Sequence, residues 1–228
     1  MNKKLIRKTI AKIFSPWGLA PLLTAVMCNF VIYFGCNLLT RNWNLHSLAL
    51  PLDYEIPLVP WTIVIYFGCY LFWIVNYVLI YRRNREYAYR FFIADFLSRI
   101  VCLAFFVLYP TTLARPDVEG SGFFNEAIRF LYKVDAPTNL FPSIHCLVSW
   151  FCFIGIAKDK TIPLWYRICS FFFAIAVFIS TLTTRQHVIF DVAGGVVLAQ
   201  ICYWISQKTS IWKAFEKIFD YLNNSFTE

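Results

Sequence analysis

The stretch Ser180–Asp191, which reads Ser-Thr-Leu-Thr-Thr-Arg-Gln-His-Val-Ile-Phe-Asp, joins two long apolar segments near the C-terminal end of the chain. His187 and Asp191 are four residues apart, so on a helix they share a face and can touch. A carboxylate bonded to one imidazole nitrogen fixes the tautomer and leaves the other nitrogen free to attack or to accept a proton. Arg185 adds a planar guanidinium suited to phosphate. The stretch therefore predicts a chemical site between two helices.

The apolar segments on either side of this stretch are typical of the whole chain. Of its 228 residues 59% are hydrophobic and only 15% are charged, whereas a soluble domain averages about 45–50% apolar residues. This composition predicts an all-α, polytopic membrane protein. We expect six transmembrane helices, at about residues 18–39, 58–80, 91–113, 141–157, 165–183 and 188–206.

Amphipathic segments flank the six predicted spans. Both place apolar side chains on one helical face and basic side chains elsewhere, which is typical of helices that lie on a membrane surface. The apolar positions are Ile6, Ile10, Ile13 and Phe14 at the N-terminus and Ile211, Phe215, Ile218, Phe219 and Leu222 in the tail. We therefore divide the chain into a surface segment, 1–17, a six-span domain, 18–206, and a surface tail, 207–228.

The positive charges predict how the chain is oriented in the membrane. Most of its 21 Lys and Arg residues lie in the termini and in the loops near 81–90 and 158–167. Because cytoplasmic loops are rich in Lys and Arg, we expect both termini in the cytoplasm, most simply at the plasma membrane. The net charge of +8 is explained by contact with anionic lipids, so we expect membrane lipids and no nucleic acid as partners.

A second stretch, Phe141-Pro-Ser-Ile-His145, opens the predicted fourth span. Proline is favoured in the first helical turn, Ser143 can cap the helix, and free backbone N–H groups there favour an anion. Arg115 ends the third span on the same predicted outer side. Two arginines, two histidines and a helix start can thus surround one phosphate. Phosphoryl transfer needs positive charge on the non-bridging oxygens, a nucleophile and a proton for the leaving oxygen, and this set supplies all three.

These residues resemble the PAP2 superfamily of membrane phosphatidic-acid-phosphatase-like enzymes, whose motifs are Lys-x6-Arg-Pro, Pro-Ser-x-His and Ser-Arg-x5-His-x3-Asp. The end of the first motif is matched by Arg115-Pro116, and the second is matched in full by Pro142–His145. The third is matched at Ser180, His187 and Asp191. The resemblance covers the motif region and, through the six-span layout, most of the chain.

The resemblance implies a role for each matched residue. His187 would be the nucleophile that forms a phosphohistidine, Asp191 would orient it, and His145 would be the acid for the leaving group. Arg115 and Ser143 would hold the phosphate, together with Ser180 and Arg185. We expect no cofactor, and no metal at the two histidines, because the flanking arginines would repel a cation.

Two departures from the motifs leave the acceptor of the phosphate open. Leu108 stands at the lysine position of the first motif, and Thr181 stands at the arginine position of the third. The sequence around Ser180 resembles the branch of inositol-phosphorylceramide-synthase-like proteins, which transfer a phospho-headgroup between lipids. Three hypotheses follow: a lipid phosphate or diphosphate phosphatase at the outer face, a lipid phosphotransferase, and a non-catalytic lipid-binding or transport protein. The sequence does not indicate an oligomeric state.

Two further patterns lie outside the motifs. Asp95 and Arg99 are four apart inside the third predicted span, and we interpret them as an ion pair that stabilises helix packing. Apolar residues at helical spacing in the loop from 115 to 139 predict an amphipathic helix over the site. This helix would either pack as part of the loop or act as a lid for a lipid; its apolar positions are Phe124, Ala127, Ile128 and Leu131.

Overall fold

The computed structural model describes residues 16–40 and 42–225. Nine α-helices lie in these ranges: α1 (Pro16–Thr40), α2 (Pro51–Glu55), α3 (Ile63–Tyr81), α4 (Arg85–Leu108), α5 (Phe123–Val134), α6 (Ile144–Ile156), α7 (Leu164–Thr183), α8 (Ile189–Lys208) and α9 (Ile211–Ser225). A 3-10 turn, Pro60–Thr62, leads into α3. Two short strands, β1 (His46–Ser47) and β2 (Thr111–Thr112), pair in parallel and join the loop after α1 to the end of α4.

Five helices in the described ranges are long and apolar enough to cross a membrane: α1, α3 with its 3-10 turn, α4, α7 and α8. They correspond to five of the six predicted spans. The span predicted at 91–113 begins earlier, at Arg85, because the Asn84 side chain accepts a hydrogen bond from Tyr87 N and caps the helix there. It ends at Leu108, close to Pro110, since a residue that precedes proline is disfavoured in helical conformation.

The remaining predicted span, the fourth at 141–157, is a helix of only 13 residues, α6. At ~1.5 Å per residue it extends roughly 20 Å, less than the ~30 Å hydrocarbon core of a bilayer. Most of its side chains are buried against α3, α7 and α8. The apolar residues of α6 therefore contact other helices. Hydropathy alone cannot distinguish such residues from residues that contact lipid. The expectation of six spans is met for five.

The segment before α6 carries non-helical backbone into the bundle. Its backbone N–H groups are satisfied by neighbouring side chains: Leu140 N and Phe141 N both donate to Thr111 Oγ1, at 3.0 and 2.8 Å. The Asn139 amide donates to Thr40 Oγ1 at 3.0 Å. Irregular backbone at this depth is tolerated where protein rather than lipid surrounds it. As a result, α6 begins inside the bundle and not at its surface.

The predicted tail helix is present as α9, and its buried face packs on the bundle. Trp212, Phe215 and Phe219 are buried, and the Phe215 ring lies 5.8 Å from that of Phe96 in α4. Arg85 at the start of α4 pairs with Glu216 at 2.7 Å. Part of the apolar face expected to meet lipid is thus covered by protein. The surface segment predicted at 1–17 lies outside the described residues except for its last two, which begin α1.

Two other expectations have a clear outcome. Arg99 Nη2 and Asp95 Oδ1 form a buried ion pair at 2.8 Å, to which Tyr77 also donates at 3.1 Å. The amphipathic loop helix is α5, and Ile128 and Leu131 bury its apolar face against the start of α3. Whether α5 opens as a lid stays a prediction.

Candidate active site

The site is built where α6 and α8 begin, because their first turns are joined directly. Ser143 is the N-cap of α6: its Oγ accepts from Cys146 N at 3.3 Å, and its backbone N donates to Asp191 O at 3.0 Å. A Cβ at Gly195 would lie 2.4 Å from Ser143 O. Only glycine permits this approach, so the two helix starts, and the histidines beside them, are positioned by each other.

His187 and Asp191 touch, although not along one helical face. His187 lies just before α8, and Asp191 lies in its first turn. Asp191 Oδ2 accepts from Val188 N at 3.0 Å and lies 3.2 Å from His187 Nδ1. The carboxylate therefore caps α8 and orients the imidazole at the same time. Since that oxygen accepts both hydrogen bonds, Nδ1 carries the proton and Nε2 keeps the lone pair.

His145 lies in the first turn of α6 and faces His187, with the two ring centroids 6.0 Å apart. Aromatic side chains of α3 surround it: the Tyr66 ring stacks at 4.5 Å, and the Trp73 ring lies at 5.5 Å. Tyr70 Oη is 3.4 Å from His145 Nε2. The structure thus brings together two histidines that are more than forty residues apart along the chain.

Both histidines line one cavity of about 300 Å³. Its other walls come from α1, α3, the end of α5 and the segment before α6. Phe30 and Phe34 of α1 line it while 53% of each side chain is exposed, and Phe67 of α3 is 38% exposed. The cavity wall is therefore also part of the outer apolar surface of two helices that are long enough to span a membrane.

Arg115 does not line this cavity but is bonded to two parts of its wall. Its Nη1 donates to Asp135 O at 2.5 Å, and its Nη2 donates to Gln186 Oε1 at 2.7 Å. The guanidinium lies 4.7 Å from the centre of the Tyr132 ring. Burial lowers the pKa of Arg115, yet an arginine side chain remains charged in a protein. Arg115 therefore supplies positive charge from behind the wall.

Arg185 and Ser180, two of the predicted phosphate ligands, are directed elsewhere. Arg185 has a positive φ of 54°, and its guanidinium donates to the carbonyl oxygens of Asp53 and Tyr54 on α2. Ser180 is buried in α7, where its Oγ donates to Val177 O at 2.8 Å. Neither residue lines the cavity. Of the other five predicted residues, His145 and His187 line the cavity, and Asp191 and Arg115 are bonded to residues that line it. Ser143 does neither and caps α6.

Asp53 is a structural residue that sequence reasoning missed. Its Oδ1 accepts from Ile189 N at 2.8 Å and its Oδ2 accepts from Leu50 N at 2.8 Å. This buried carboxylate therefore caps α8 from outside while its carbonyl binds Arg185. A signal was present, since proline at the first position of a short helix with an acidic residue two positions later is typical of a helix start.

Asp135 is a second residue that was missed, and it lines the cavity. Its carboxylate accepts hydrogen bonds from Tyr33, through a short contact, and from Tyr66 at 3.3 Å. These partners are 102 and 69 residues away along the chain. No local pattern could have indicated them, because the contact exists only once α1, α3 and α5 are packed together.

Comparison with known families places the chain in one of them. The family model of the PAP2 superfamily matches residues 43–205, a range that includes all seven predicted site residues and most of the chain. Neither the curated proteins nor the solved structures contain a significant match.

Proposed function

Because the chain belongs to the PAP2 superfamily, we propose that it is a multi-pass membrane enzyme that removes phosphate from a lipid phosphate or diphosphate. One observation carries the proposal. Two histidines with ring centroids 6.0 Å apart share a cavity whose remaining wall is mostly apolar and is continuous with the outer surface of spanning helices. The Lys and Arg distribution supports an orientation with the termini in the cytoplasm and the site toward the outside.

In the first step, His187 Nε2 attacks phosphorus, and the bond between phosphorus and the lipid oxygen breaks. His145 gives its proton to the departing oxygen, so the lipid leaves as an alcohol or a phosphate. The 3.2 Å contact with the carboxylate of Asp191 keeps the proton on Nδ1 of His187. The carboxylate stabilises the cationic phosphohistidine without taking part in bond making.

In the second step, water attacks the phosphohistidine and the P–N bond breaks. His145, now neutral, takes a proton from the water, and inorganic phosphate leaves. His187 returns to its starting state. Because one histidine must be neutral and the other protonated at the start, we expect a bell-shaped dependence of kcat/KM on pH.

The walls of the cavity support a lipid substrate. Binding sites of a few hundred Å³ lined by aromatic side chains with few polar groups are typical of apolar ligands with one polar end. The phosphate would lie between the histidines, and the hydrocarbon chain would pass Phe30, Phe34 and Phe67 toward the bilayer. This path lets the lipid enter without leaving the membrane.

The test is phosphate release by the purified full-length protein from a panel of lipids. The panel contains phosphatidic acid, phosphatidylglycerol phosphate, prenyl diphosphates and sphingolipid-type donors. We expect His187→Ala to abolish release while it elutes and melts like the wild type. His46→Ala is the matched control, because His46 stacks on Tyr109 at 4.2 Å outside the cavity. Normal turnover by His187→Ala would refute the proposal.

A lipid phosphotransferase is the second candidate, because the departures from the motifs at Leu108 and Thr181 leave the acceptor of the phosphate open. A carboxylate on the cavity wall can accept a hydrogen bond from an alcohol that replaces water in the second step. Labelled lipid incubated with and without a candidate alcohol distinguishes the two by product: inorganic phosphate for the hydrolase, a new phosphodiester for the transferase. Binding without turnover across the whole panel would instead indicate a lipid-binding protein.

A further inference from the structure

One polar group on the cavity wall has no role in the steps above. Gln186 is 2% exposed and lines the cavity beside His187. Its Nε2 is buried and finds no hydrogen-bond acceptor among the residues that the structure describes. A buried N–H group without an acceptor is costly, so its place next to two histidines needs an explanation.

The orientation of this amide is fixed by chemistry. Arg115 has only donors, so the atom that meets its Nη2 at 2.7 Å must be Oε1. The donor Nε2 then occupies the other arm of the amide. The backbone is fixed as well, because Gln186 N donates to Thr181 O at 3.0 Å. Gln186 is therefore a rigid donor, and Arg115 holds it from behind.

We propose that Gln186 Nε2 binds a non-bridging oxygen of the phosphoryl group that His187 attacks. The inference rests on the proposed function, since it needs a phosphate between the two histidines. The charge of Arg115 polarises the amide along the chain of hydrogen bonds, which makes Nε2 a stronger donor. A fixed donor close to developing negative charge stabilises the transition state without reorganisation.

The inference also explains how the site works without a guanidinium in contact with the phosphate. Thr181, at the arginine position of the third motif, donates to Phe178 O at 2.8 Å within its own helix. Arg185 is bound to the carbonyl oxygens of α2. Within Ser180–Asp191, the residues that line the cavity are Gln186 and His187. The arginine nearest the site, Arg115, acts on the phosphate through it.

Two variants test the role of Gln186. Gln186→Glu keeps the shape and the acceptor for Arg115 but replaces the donor with an oxygen, and Gln186→Leu removes both groups. The matched control is Gln200→Glu in α8. Gln200 Oε1 accepts a hydrogen bond from Trp150 Nε1 at 3.1 Å. The glutamate retains this acceptor, and Gln200 does not line the cavity. Orthovanadate and inorganic phosphate serve as probes, with binding measured by calorimetry on the full-length protein in detergent.

We expect both Gln186 variants to bind orthovanadate roughly 10- to 100-fold more weakly than the wild type, and Gln200→Glu to bind it unchanged. On a lipid that the wild type hydrolyses, kcat should fall while the melting temperature of Gln186→Glu stays close to that of the wild type. Should Gln186→Leu fail to fold, Gln186→Glu still carries the test, because it retains the bond to Arg115.

The outcomes separate this inference from the proposed function. If the wild type hydrolyses a lipid phosphate and both Gln186 variants match it in orthovanadate binding and in kcat, only the inference is overturned. If the wild type neither hydrolyses lipid phosphates nor binds orthovanadate, the proposed function fails and the inference fails with it. Weaker binding in Gln200→Glu as well would also overturn it, since the effect would not belong to the site.

Discussion

At the scale of single residues, the same side chain can have a chemical role that sequence predicts and a structural role that only the fold reveals. The sequence predicts that His145, His187 and Asp191 lie close together, and the structure brings them together, while their chemical roles stay predictions. The position of Arg185 could not be predicted, because its positive φ and its contacts with α2 depend on how the loop packs. A guanidinium near a histidine in sequence therefore does not define a phosphate ligand.

Arg185→Met tests which role this residue has. We expect a lower melting temperature, because two carbonyl oxygens of α2 lose a charged donor. We expect kcat/KM to stay within a few-fold of the wild type, since the side chain does not line the cavity. A thermal melt and steady-state kinetics measure both. A loss of substrate binding without a loss of stability would restore the interpretation from sequence.

Asp191→Asn tests the orienting carboxylate. The amide can still accept a hydrogen bond from Val188 N, so α8 should remain capped and the protein should fold. The asparagine amide fixes the tautomer of His187 less well than the carboxylate and does not stabilise a cationic imidazole. We therefore expect kcat to fall by roughly 10²- to 10⁴-fold with a smaller change in KM. A kcat within twofold of the wild type would contradict the role of Asp191.

At the scale of helices, most of the architecture could be predicted, and the exceptions all depend on contacts between distant parts of the chain. Five long apolar helices follow directly from hydropathy, since the bilayer sets their length. The length of α6 and the packing of α9 on the bundle could not be predicted, because residues that contact protein can be as apolar as residues that contact lipid. The non-helical segment before α6 could not be foreseen either, since Thr111, Asn37 and Thr40 satisfy it from distant parts of the chain.

Gly195→Ala tests whether the contact between α6 and α8 positions the site. The added Cβ would meet the backbone oxygen of Ser143 at 2.4 Å, so the two helix starts must move apart. We expect a lower melting temperature and a kcat reduced at least about tenfold, because a small displacement of a catalytic group is costly. Gly35→Ala in α1 is the matched control, since a Cβ there meets nothing within 4 Å. Equal melting temperatures and equal kcat values of the two variants would show that the contact between α6 and α8 does not position the site.

At the scale of the whole molecule, the bundle places the two histidines in a cavity whose wall is mostly apolar. The wall residues belong to α1, α3 and α5, which are far apart in sequence, so the cavity itself could not be predicted. Under the proposed function, a lipid substrate would approach the histidines along this wall from the membrane. The cytoplasmic position of the termini, by contrast, depends on charge distribution alone and stays a prediction.

Phe34→Ala tests the path of the lipid. Phe34 lines the cavity, whereas Leu38, one turn later on α1, is exposed and does not. We expect Phe34→Ala to raise KM several-fold for a long-chain lipid phosphate and to leave KM unchanged for a small water-soluble phosphate ester. Leu38→Ala should change neither value. Equal effects of Phe34→Ala on both substrates would argue against a chain-binding wall.

The most direct measurement for the whole account is the position of the phosphate in the reaction intermediate. The purified protein would be mixed with a radiolabelled lipid phosphate, quenched in alkali to preserve phosphohistidine, and digested for mass spectrometry. The mechanism predicts phosphate on His187 in the wild type and none in His187→Ala. Phosphate found on His145 instead, or turnover with no phosphate on any histidine, would contradict it.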